Sequence, residues 1–440
     1  MTMRVLCLYN ATETYTEAVF EHLDAFRRHS NLYWVYLHWE SLVEWKNRVT
    51  DFDILVIHYS VRLPFDQITD EMAEIVHDFA GTKAVFLQDE YDGTNRTKYW
   101  LQRMGINVVF TVVPERTVNK IYPTHEFPDT AFHTVLTGYV PDGMAERFGN
   151  LTPTFERTLI VGYRGRILPI HYGALGQEKW AIAKHVKRYC ESYGIAHDIE
   201  CSDESRIYGV DWYRFIASCR AMLGTESGSN VFNWSGTLVR EVASYRQCNT
   251  GASDDEIYDA IIRPLELPNA MNQISPRIFE MAAARTVMIL FEGSYSDAID
   301  PSVHYIALRK DFSNLLEVFA MLNDRSLVSR ITENAFSHVI ESGKYSYSSF
   351  TRSVDNALLL AQTSILGSRD VSRHVLNQMV QDKDLYQSLR RPLRASPPYY
   401  PKSAHMRLIK KLWKFVPKFI QLALRAPSKF VFDQLVKRGY

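Results

Sequence analysis

Short apolar runs alternate with amphipathic helical segments along most of this chain, and this alternation limits the possible folds more than any other feature. The first run, RVLCLY, extends from Arg4 to Tyr9, and the helical segment after it has its apolar residues on one face. Similar apolar runs begin at Leu32, Asp53, Lys83, Ile106 and His133. Because strands that alternate with helices form a parallel sheet covered on both faces, we predict an α/β fold.

A break in the alternation predicts a domain boundary. The segment PDGMAERFGNLTP, residues 141–153, lacks apolar periodicity, and a second alternating series begins at Arg157. We therefore assign residues 1–150 to an N-terminal domain and residues 151–366 to a C-terminal domain, each Rossmann-like.

The second series contains one well-patterned helix and one irregular segment. A helix is predicted from Gly176 to Tyr193, with Trp180 on its apolar face and Gly194 as its C-terminal stop. Residues 231–271 are less regular, and we interpret them as an insertion or a lid.

The composition is that of a soluble globular protein. Of 440 residues, 46% are hydrophobic and 23% are charged, which excludes a disordered or coiled-coil chain and fits two or three domains. There is no apolar run of about 18 residues that could cross a membrane, and the start of the sequence looks like a strand rather than a signal peptide. Five scattered cysteines without C-x-x-C spacing predict reduced thiols, a cytoplasmic location and no zinc site.

The charge is unevenly distributed although it sums to zero. Residues 401–440 carry ten Lys and Arg against Asp433 alone, so this segment is +9 and the remainder of the chain is −9. A mildly acidic body makes a nucleic-acid partner improbable. Residues 367–402 are polar and end in a proline-rich stretch, which is typical of a linker.

The basic tail, residues 403–440, contains an amphipathic helical pattern. At 100° per residue, one arc of about 100° holds four lysines: Lys410, Lys411, Lys414 and Lys418. Apolar residues, including Trp413, occupy the opposite side. Such a helix lies in a membrane interface that carries anionic lipid, so we predict peripheral attachment; a final helix docked on the protein's own core is the alternative.

The stretch NQISPRIFEMAAARTVMILFEG, residues 272–293, is the most informative motif. Ser275 has the character of a helix N-cap and Pro276 that of the first helical residue. Free amides at such a helix start can hold a phosphate, and Glu280, about one turn further, could accept hydrogen bonds from ribose hydroxyls. The alternative is a well-capped structural helix with a solvated Glu280.

This motif resembles the donor-binding domain of GT-B glycosyltransferases, in the branch similar to glycosyl transferases group 1. The resemblance is specific over residues 208–360 and only architectural before residue 150. It implies two Rossmann-like domains facing across a cleft, with a nucleotide sugar held mainly by the C-terminal domain. It also implies that the chemistry needs no metal and no other cofactor.

A second motif, LIVGYRGRILPIHYGALGQEK, places glycines and cations after a strand. Gly165 would let the backbone approach a ligand closely. By the resemblance, Arg166 and Lys179 hold the diphosphate, whose developing charge they would stabilise. A glycine turn with surface cations is the alternative. There is no G-x-G-x-x-G or P-loop pattern, which argues against a dehydrogenase or a kinase.

Three further residues are candidates for catalysis. Many retaining members of the family carry two glutamates with seven residues between them, but Asn272 stands where the first would be if Glu280 is the second. Glu226 could replace it. In the N-terminal domain, His58 and Asp89 follow strands, where an inverting enzyme would place its base. Retention and inversion both stay open.

Together these features predict a glycosyltransferase that moves a sugar from a nucleotide donor to a glycan or lipid-linked acceptor at the cytoplasmic face of a membrane. Cell-surface polysaccharide or glycolipid assembly would fit such an enzyme. Two alternatives are a nucleotide-sugar epimerase and a non-catalytic glycan-binding or scaffold protein on a degenerate GT-B frame.

Overall fold

Two parallel sheets organise the part of the chain described by the structure, a computed structural model that covers residues 3–10 and 17–366. The strands of the first sheet, in chain order, are β1 (Arg4–Tyr9), β2 (Tyr33–His38), β3 (Ile54–Ile57), β4 (Thr82–Phe86), β5 (Val108–Thr111) and β6 (Ala131–Thr134). They are all parallel and lie in the order β2-β1-β3-β4-β5-β6. Its helices are α1 (Glu17–His29), α2 (Asp70–Asp78), α3 (Thr94–Met104) and α4 (Glu115–Ile121).

The second sheet begins after a connection that contains only short turns of helix. Its strands are β7 (Leu159–Arg164), β8 (His197–Glu200), β9 (Cys219–Gly224), β10 (Val287–Phe291) and β11 (Ile306–Leu308), again all parallel, in the order β11-β10-β9-β7-β8. Its helices are α5 (Gly173–Tyr193), α6 (Val210–Ser218), α7 (Leu238–Cys248), α8 (Asp254–Ile257), α9 (Pro276–Ala283), α10 (Leu315–Leu322) and α11 (Arg325–Phe336). Two Rossmann-like domains were predicted, and this topology confirms them.

Burial on both faces explains why the strands are continuous apolar runs. Every residue of β3 and β10 is buried, as expected for central strands of parallel sheets that helices cover on both sides. Separate apolar cores accordingly lie around each sheet.

The helix α12 (Tyr347–Leu366) packs on the first sheet although it follows the second in sequence. The Gln362 side-chain oxygen accepts hydrogen bonds from the Thr82 amide at 2.8 Å and the Thr82 hydroxyl at 2.5 Å, both at the start of β4. Asp355 accepts hydrogen bonds from the Ser30 hydroxyl at 2.6 Å and the Asn31 amide at 2.8 Å. The chain therefore returns to its first sheet at its last described helix.

Several details differ from the sequence-based prediction. The run from His133 was predicted as a strand, but β6 ends at Thr134, because the rest of the run crosses toward the second sheet, where Thr137 donates to the Ile274 carbonyl at 2.5 Å. Trp180 was placed on the apolar face of its helix, yet 37% of it is exposed. The helices α3 and α4 were not predicted, because their buried faces include threonines as well as apolar residues.

The predicted insertion, residues 231–271, contains α7 and α8 and joins both halves of the molecule. It has a small apolar core of its own, which includes Val242 and Ile257. Its two ends, at Phe232 and Met271, pack into the core of the first sheet. The insertion thus forms a further link between the two sheets, beside the connection after β6 and the return of α12.

None of the described helices is both long and apolar enough to cross a bilayer. The predicted linker and basic tail lie outside the described residues, and with them the membrane-binding residues Lys410, Lys411, Trp413, Lys414 and Lys418.

Candidate active site

A cavity of about 390 Å³ lies where the carboxyl ends of the strands of both sheets converge. The first sheet contributes side chains from the loops after β3 and β4: Arg62, Asp89, Tyr91 and Asp92. The second sheet contributes residues that follow β7 and β9 or belong to α5 and α9, among them Gly165, Arg166, Lys179, Ser227, Ser275 and Arg277. This edge is where ligands bind in open parallel sheets.

Five residues singled out from the sequence line this one cavity, although they come from four separate segments: Asp89, Gly165, Arg166, Lys179 and Ser275. Within the described residues, three others lie outside its lining: His58, Glu226 and Glu280. The predicted role of each is considered below.

Three cations of the second domain converge on the cavity. Burial, the neighbouring Arg277 and then Arg166 lower the pKa of Lys179 to about 8. The Arg277 guanidinium donates to the Arg164 carbonyl and lies over the Trp212 ring at 5.2 Å. Because the three positive charges repel one another, an anion bound among them would be stabilised and would raise the pKa of Lys179 again.

Sequence reasoning missed Arg277, although it stands in the motif between Pro276 and Glu280. The feature that could have identified it is its position in the first turn of the predicted helix, directly after Pro276. Gly165 was singled out for the approach of a ligand to its backbone, which stays a prediction. A Cβ atom there would lie 2.5 Å from the Tyr163 ring and 2.9 Å from the Cys201 sulfur. Packing within the domain is therefore sufficient to explain this glycine.

The start of α9 agrees with the predicted N-cap. Ser275 has extended backbone angles, its side chain makes no capping hydrogen bond, and Pro276 occupies the first turn. Pro276 has no N–H group, and the Ile278 amide donates to the Ser275 carbonyl at 2.9 Å. Among the described residues, the Ser275 hydroxyl and the Arg277 amide are therefore the groups at this helix start that could receive a ligand.

Glu280 lies one turn further along α9, outside the cavity lining and half-buried. The Trp212 indole donates to one of its carboxylate oxygens at 2.7 Å. Burial raises the pKa of Glu280 to about 7, although the Trp212 hydrogen bond and Arg277 oppose that shift. A carboxylate oxygen can accept a hydrogen bond from a hydroxyl group.

Glu226 is buried behind the cavity rather than in it. One carboxylate oxygen accepts hydrogen bonds from the Ser294 amide at 3.1 Å and the Tyr295 amide at 2.8 Å, and the other accepts from the Asn272 side chain at 2.5 Å. A Cβ atom on Gly293 would lie 2.6 Å from this carboxylate. Glu226 and Asn272 therefore meet in space, but their contacts hold the loops beside α9.

Residues 88–92, with the sequence QDEYD, follow β4 and have separate roles. Glu90 is buried, and its carboxylate accepts hydrogen bonds from the Thr111 hydroxyl at 2.5 Å and the Tyr122 hydroxyl at 2.8 Å, so it supports β5. Asp89 faces the cavity with φ at 52°, a left-handed conformation that is strained for a residue with a side chain. The Tyr91 hydroxyl donates to Asp89 at 2.8 Å, and an Arg62 nitrogen lies 3.8 Å from its other oxygen.

His58 is fully buried and pairs with a second histidine. Its two ring nitrogens lie 2.9 Å from the Ser60 hydroxyl and 3.0 Å from the His22 ring nitrogen. Burial lowers the pKa of His22 to about 3, and burial together with His22 holds the pKa of His58 well below its ordinary value. The structure thus separates His58 from the cavity.

Because of this histidine pair, we predict that the free energy of unfolding decreases in mild acid. The unfolded chain binds protons at both residues below about pH 6.5, whereas the folded chain does not, so the free energy of unfolding should fall as the pH falls from 6.5 to 5. The slope should reach about 1.4 kcal/mol per pH unit for each histidine. Urea unfolding at a series of pH values measures it.

Two variants test the assignment. His22→Met should give a protein with a shallower pH dependence, and the exposed His125→Gln should leave the slope unchanged. An equal slope in wild type and His22→Met would contradict the prediction.

Comparisons with known proteins give matches in structure alone. No protein-family model matches the sequence, and no curated protein matches it. Solved glycosyltransferases are among the structures that match. An alpha-glucosyltransferase solved with UDP and a 13-mer DNA containing an HMU base aligns over 82% of this chain and 99% of its own, at 13% identity and a TM-score of 0.47.

Two further structures align over similar lengths. HepE of Anabaena, solved in complex with UDP, aligns over 81% of this chain and 100% of its own, at 9% identity and a TM-score of 0.48. A glycosyltransferase from Rickettsia africae aligns over 84% of this chain and 100% of its own, at 10% identity and a TM-score of 0.44. These similarities concern the fold, and the ligands named belong to those structures.

Proposed function

We propose that this protein is a glycosyltransferase that uses a nucleotide sugar. The observation that carries the proposal is the cavity at the carboxyl edges of both sheets, where Arg166, Lys179 and Arg277 surround the open start of α9. Such an arrangement suits a diphosphate, because charge-assisted hydrogen bonds and the positive end of the α9 dipole, with the Arg277 amide, both favour an anion there.

In this assignment each group has one task. The three cations hold the diphosphate and stabilise the negative charge that develops on it as the bond to the sugar breaks. Glu280 accepts a hydrogen bond from the ribose, and the Trp212 indole fixes the orientation of its carboxylate. The sugar then lies toward the loops of the first sheet.

The acceptor would enter from the first sheet, where Asp89 and Asp92 face the cavity. Asp89 is the proposed base if the reaction inverts the sugar, because its carboxylate is exposed and oriented by Tyr91. Neither His58 nor Glu226 contacts the cavity, so we assign them to the support of the fold. The acceptor is proposed to be a glycan or a lipid-linked glycan, with attachment to the membrane through the basic tail.

Thermal unfolding with a panel of UDP-, GDP-, ADP-, TDP- and CMP-linked sugars tests the function. A ligand that binds only the folded state stabilises it by about 2.7 kcal/mol at 100 times its Kd, so one nucleotide class should raise the Tm by several degrees. Glu280→Ala should lose most of that shift, whereas Glu317→Ala, on the exposed face of α10, should keep it.

If none of the nucleotide sugars stabilises wild type at millimolar concentration, the enzyme proposal fails. The non-catalytic scaffold then becomes the better explanation of the fold.

A further inference from the structure

A second, larger concavity of about 890 Å³ lies beside the candidate active site. Its walls are the loop after β7, the helix α5 and the insertion helices α7 and α8. Leu168 lines both this groove and the active-site cavity, so the two spaces are adjacent.

The groove exposes large apolar side chains in a concave surface. Ile167 is 57% exposed, Val239 is 52% exposed and Trp180 is 37% exposed, and all three line it. Eight of its fourteen lining residues are aliphatic, proline or tryptophan. Apolar surface that is both exposed and concave is a common feature of sites for apolar ligands.

The polar side chains of the groove are mostly committed to partners within the protein. Gln177 donates to the Leu168 carbonyl at 3.0 Å, the Tyr258 hydroxyl donates to Glu266 at 3.1 Å, and Arg246 pairs with Asp254 at 2.5 Å. A sugar needs hydrogen-bonding groups that are free to receive it. A hydrocarbon chain does not, and it would cover the exposed apolar side chains.

We propose that this groove binds the hydrocarbon part of an amphiphilic acceptor, whose head group then reaches the active-site cavity past Leu168. The proposal rests on the proposed glycosyltransferase function and specifies the acceptor as lipid-linked. It also explains the position of Trp180, which faces the groove instead of the core of its domain.

Fluorescence quenching of the full chain tests the proposal with a brominated alkyl maltoside, used below its micelle concentration. Bromine quenches an indole on contact. In a full chain that carries Trp413→Phe, so that the predicted membrane-binding tail gives no signal, binding should produce saturable quenching that Trp180→Phe abolishes. Val239→Lys should weaken the binding at least tenfold. Leu316→Lys, which changes an even more exposed apolar residue on α10, should not.

Unbrominated competitors identify the part of the ligand that is recognised. Affinity should rise about threefold to fourfold for each methylene added to the alkyl chain, and maltose alone should not compete. Nucleotide-sugar stabilisation, measured on the same variants, should survive Val239→Lys, because Val239 is not part of the active-site cavity.

Five results would overturn the proposal. If quenching persists in Trp180→Phe, the alkyl chain binds elsewhere. The same conclusion follows if Val239→Lys leaves the affinity for the alkyl maltoside unchanged. Competition by maltose would make the groove a sugar site. A dimer in wild type that Val239→Lys dissociates would show that a second copy covers the groove. Alkyl binding without stabilisation by any nucleotide sugar would instead refute the proposed function, and with it the acceptor role of the groove.

Discussion

Replacing Lys179 with methionine should lower the affinity for a nucleotide sugar by about 10-fold to 100-fold. Lys179 lines the cavity together with Arg166 and Arg277, and a hydrogen bond to a charged group contributes about 1.5–3 kcal/mol. Methionine keeps the length and the apolar contacts of the stem, so the folded structure should persist. Titration calorimetry with the nucleotide sugar that raises the Tm measures the loss.

The pH dependence separates the charge of Lys179 from its packing. Because the pKa of Lys179 is about 8 in the free protein, the affinity of wild type should fall as the pH rises above 8, where the cation is lost. Lys179→Met should lack that fall. Lys184→Met, on the exposed face of the same helix, should bind like wild type at every pH. Equal affinity in Lys179→Met and wild type at pH 7 would refute the diphosphate site.

Glu226→Ala should destabilise the protein by about 3 kcal/mol, although Glu226 lies outside the cavity. Its buried carboxylate accepts hydrogen bonds from Ser294, Tyr295 and Asn272, and each buried donor left without an acceptor costs about 1–3 kcal/mol. Chemical unfolding measures the change, with the exposed Glu292→Ala as a control next to the same turn. Equal stability in both variants would contradict this supporting role.

Glu226→Gln should also destabilise, but by less than the alanine variant. The Met271 amide donates to Asn230 at 2.9 Å, the Asn230 side chain donates to Asn272 at 2.8 Å, and Asn272 in turn donates to Glu226. The Met271 N–H can only donate, so it fixes which group donates and which accepts in each hydrogen bond of this chain. Asn272 therefore cannot turn its oxygen toward a glutamine amide without losing its hydrogen bond to Asn230. One pair of donors would therefore face each other.

The fold was predictable wherever the local pattern of apolar residues determines the secondary structure. Continuous apolar runs identified nearly every strand, because both faces of a parallel sheet are buried. The helix α3 escaped detection, since its buried face mixes Thr94 and Thr97 with Trp100 and Leu101. The insertion helices were missed for another reason: their core is small, and their apolar residues are few.

The site was predictable where it depends on a local motif. The local sequence alone was enough to single out Ser275, Arg166 and Lys179. All three line the cavity. His58 could not be judged in this way, because its neighbour is His22, 36 residues away on another element. Arg62 likewise reaches the cavity only through tertiary structure, from a loop with no recognisable pattern.

The insertion between β9 and α9 also limits how this architecture can be recombined. Its ends pack into the first core: the Asn233 amide donates to the Tyr91 carbonyl at 2.7 Å, and the Thr117 hydroxyl donates to the Ala270 carbonyl at 2.8 Å. A chimera in which residues 1–150 were replaced by the domain of another protein would lose these hydrogen-bond partners. It would also lose the surface of the first sheet on which α12 packs. The two domains of this protein therefore cannot be exchanged independently. Substitutions at the surface of one domain are limited by the contacts that this surface makes with the other domain.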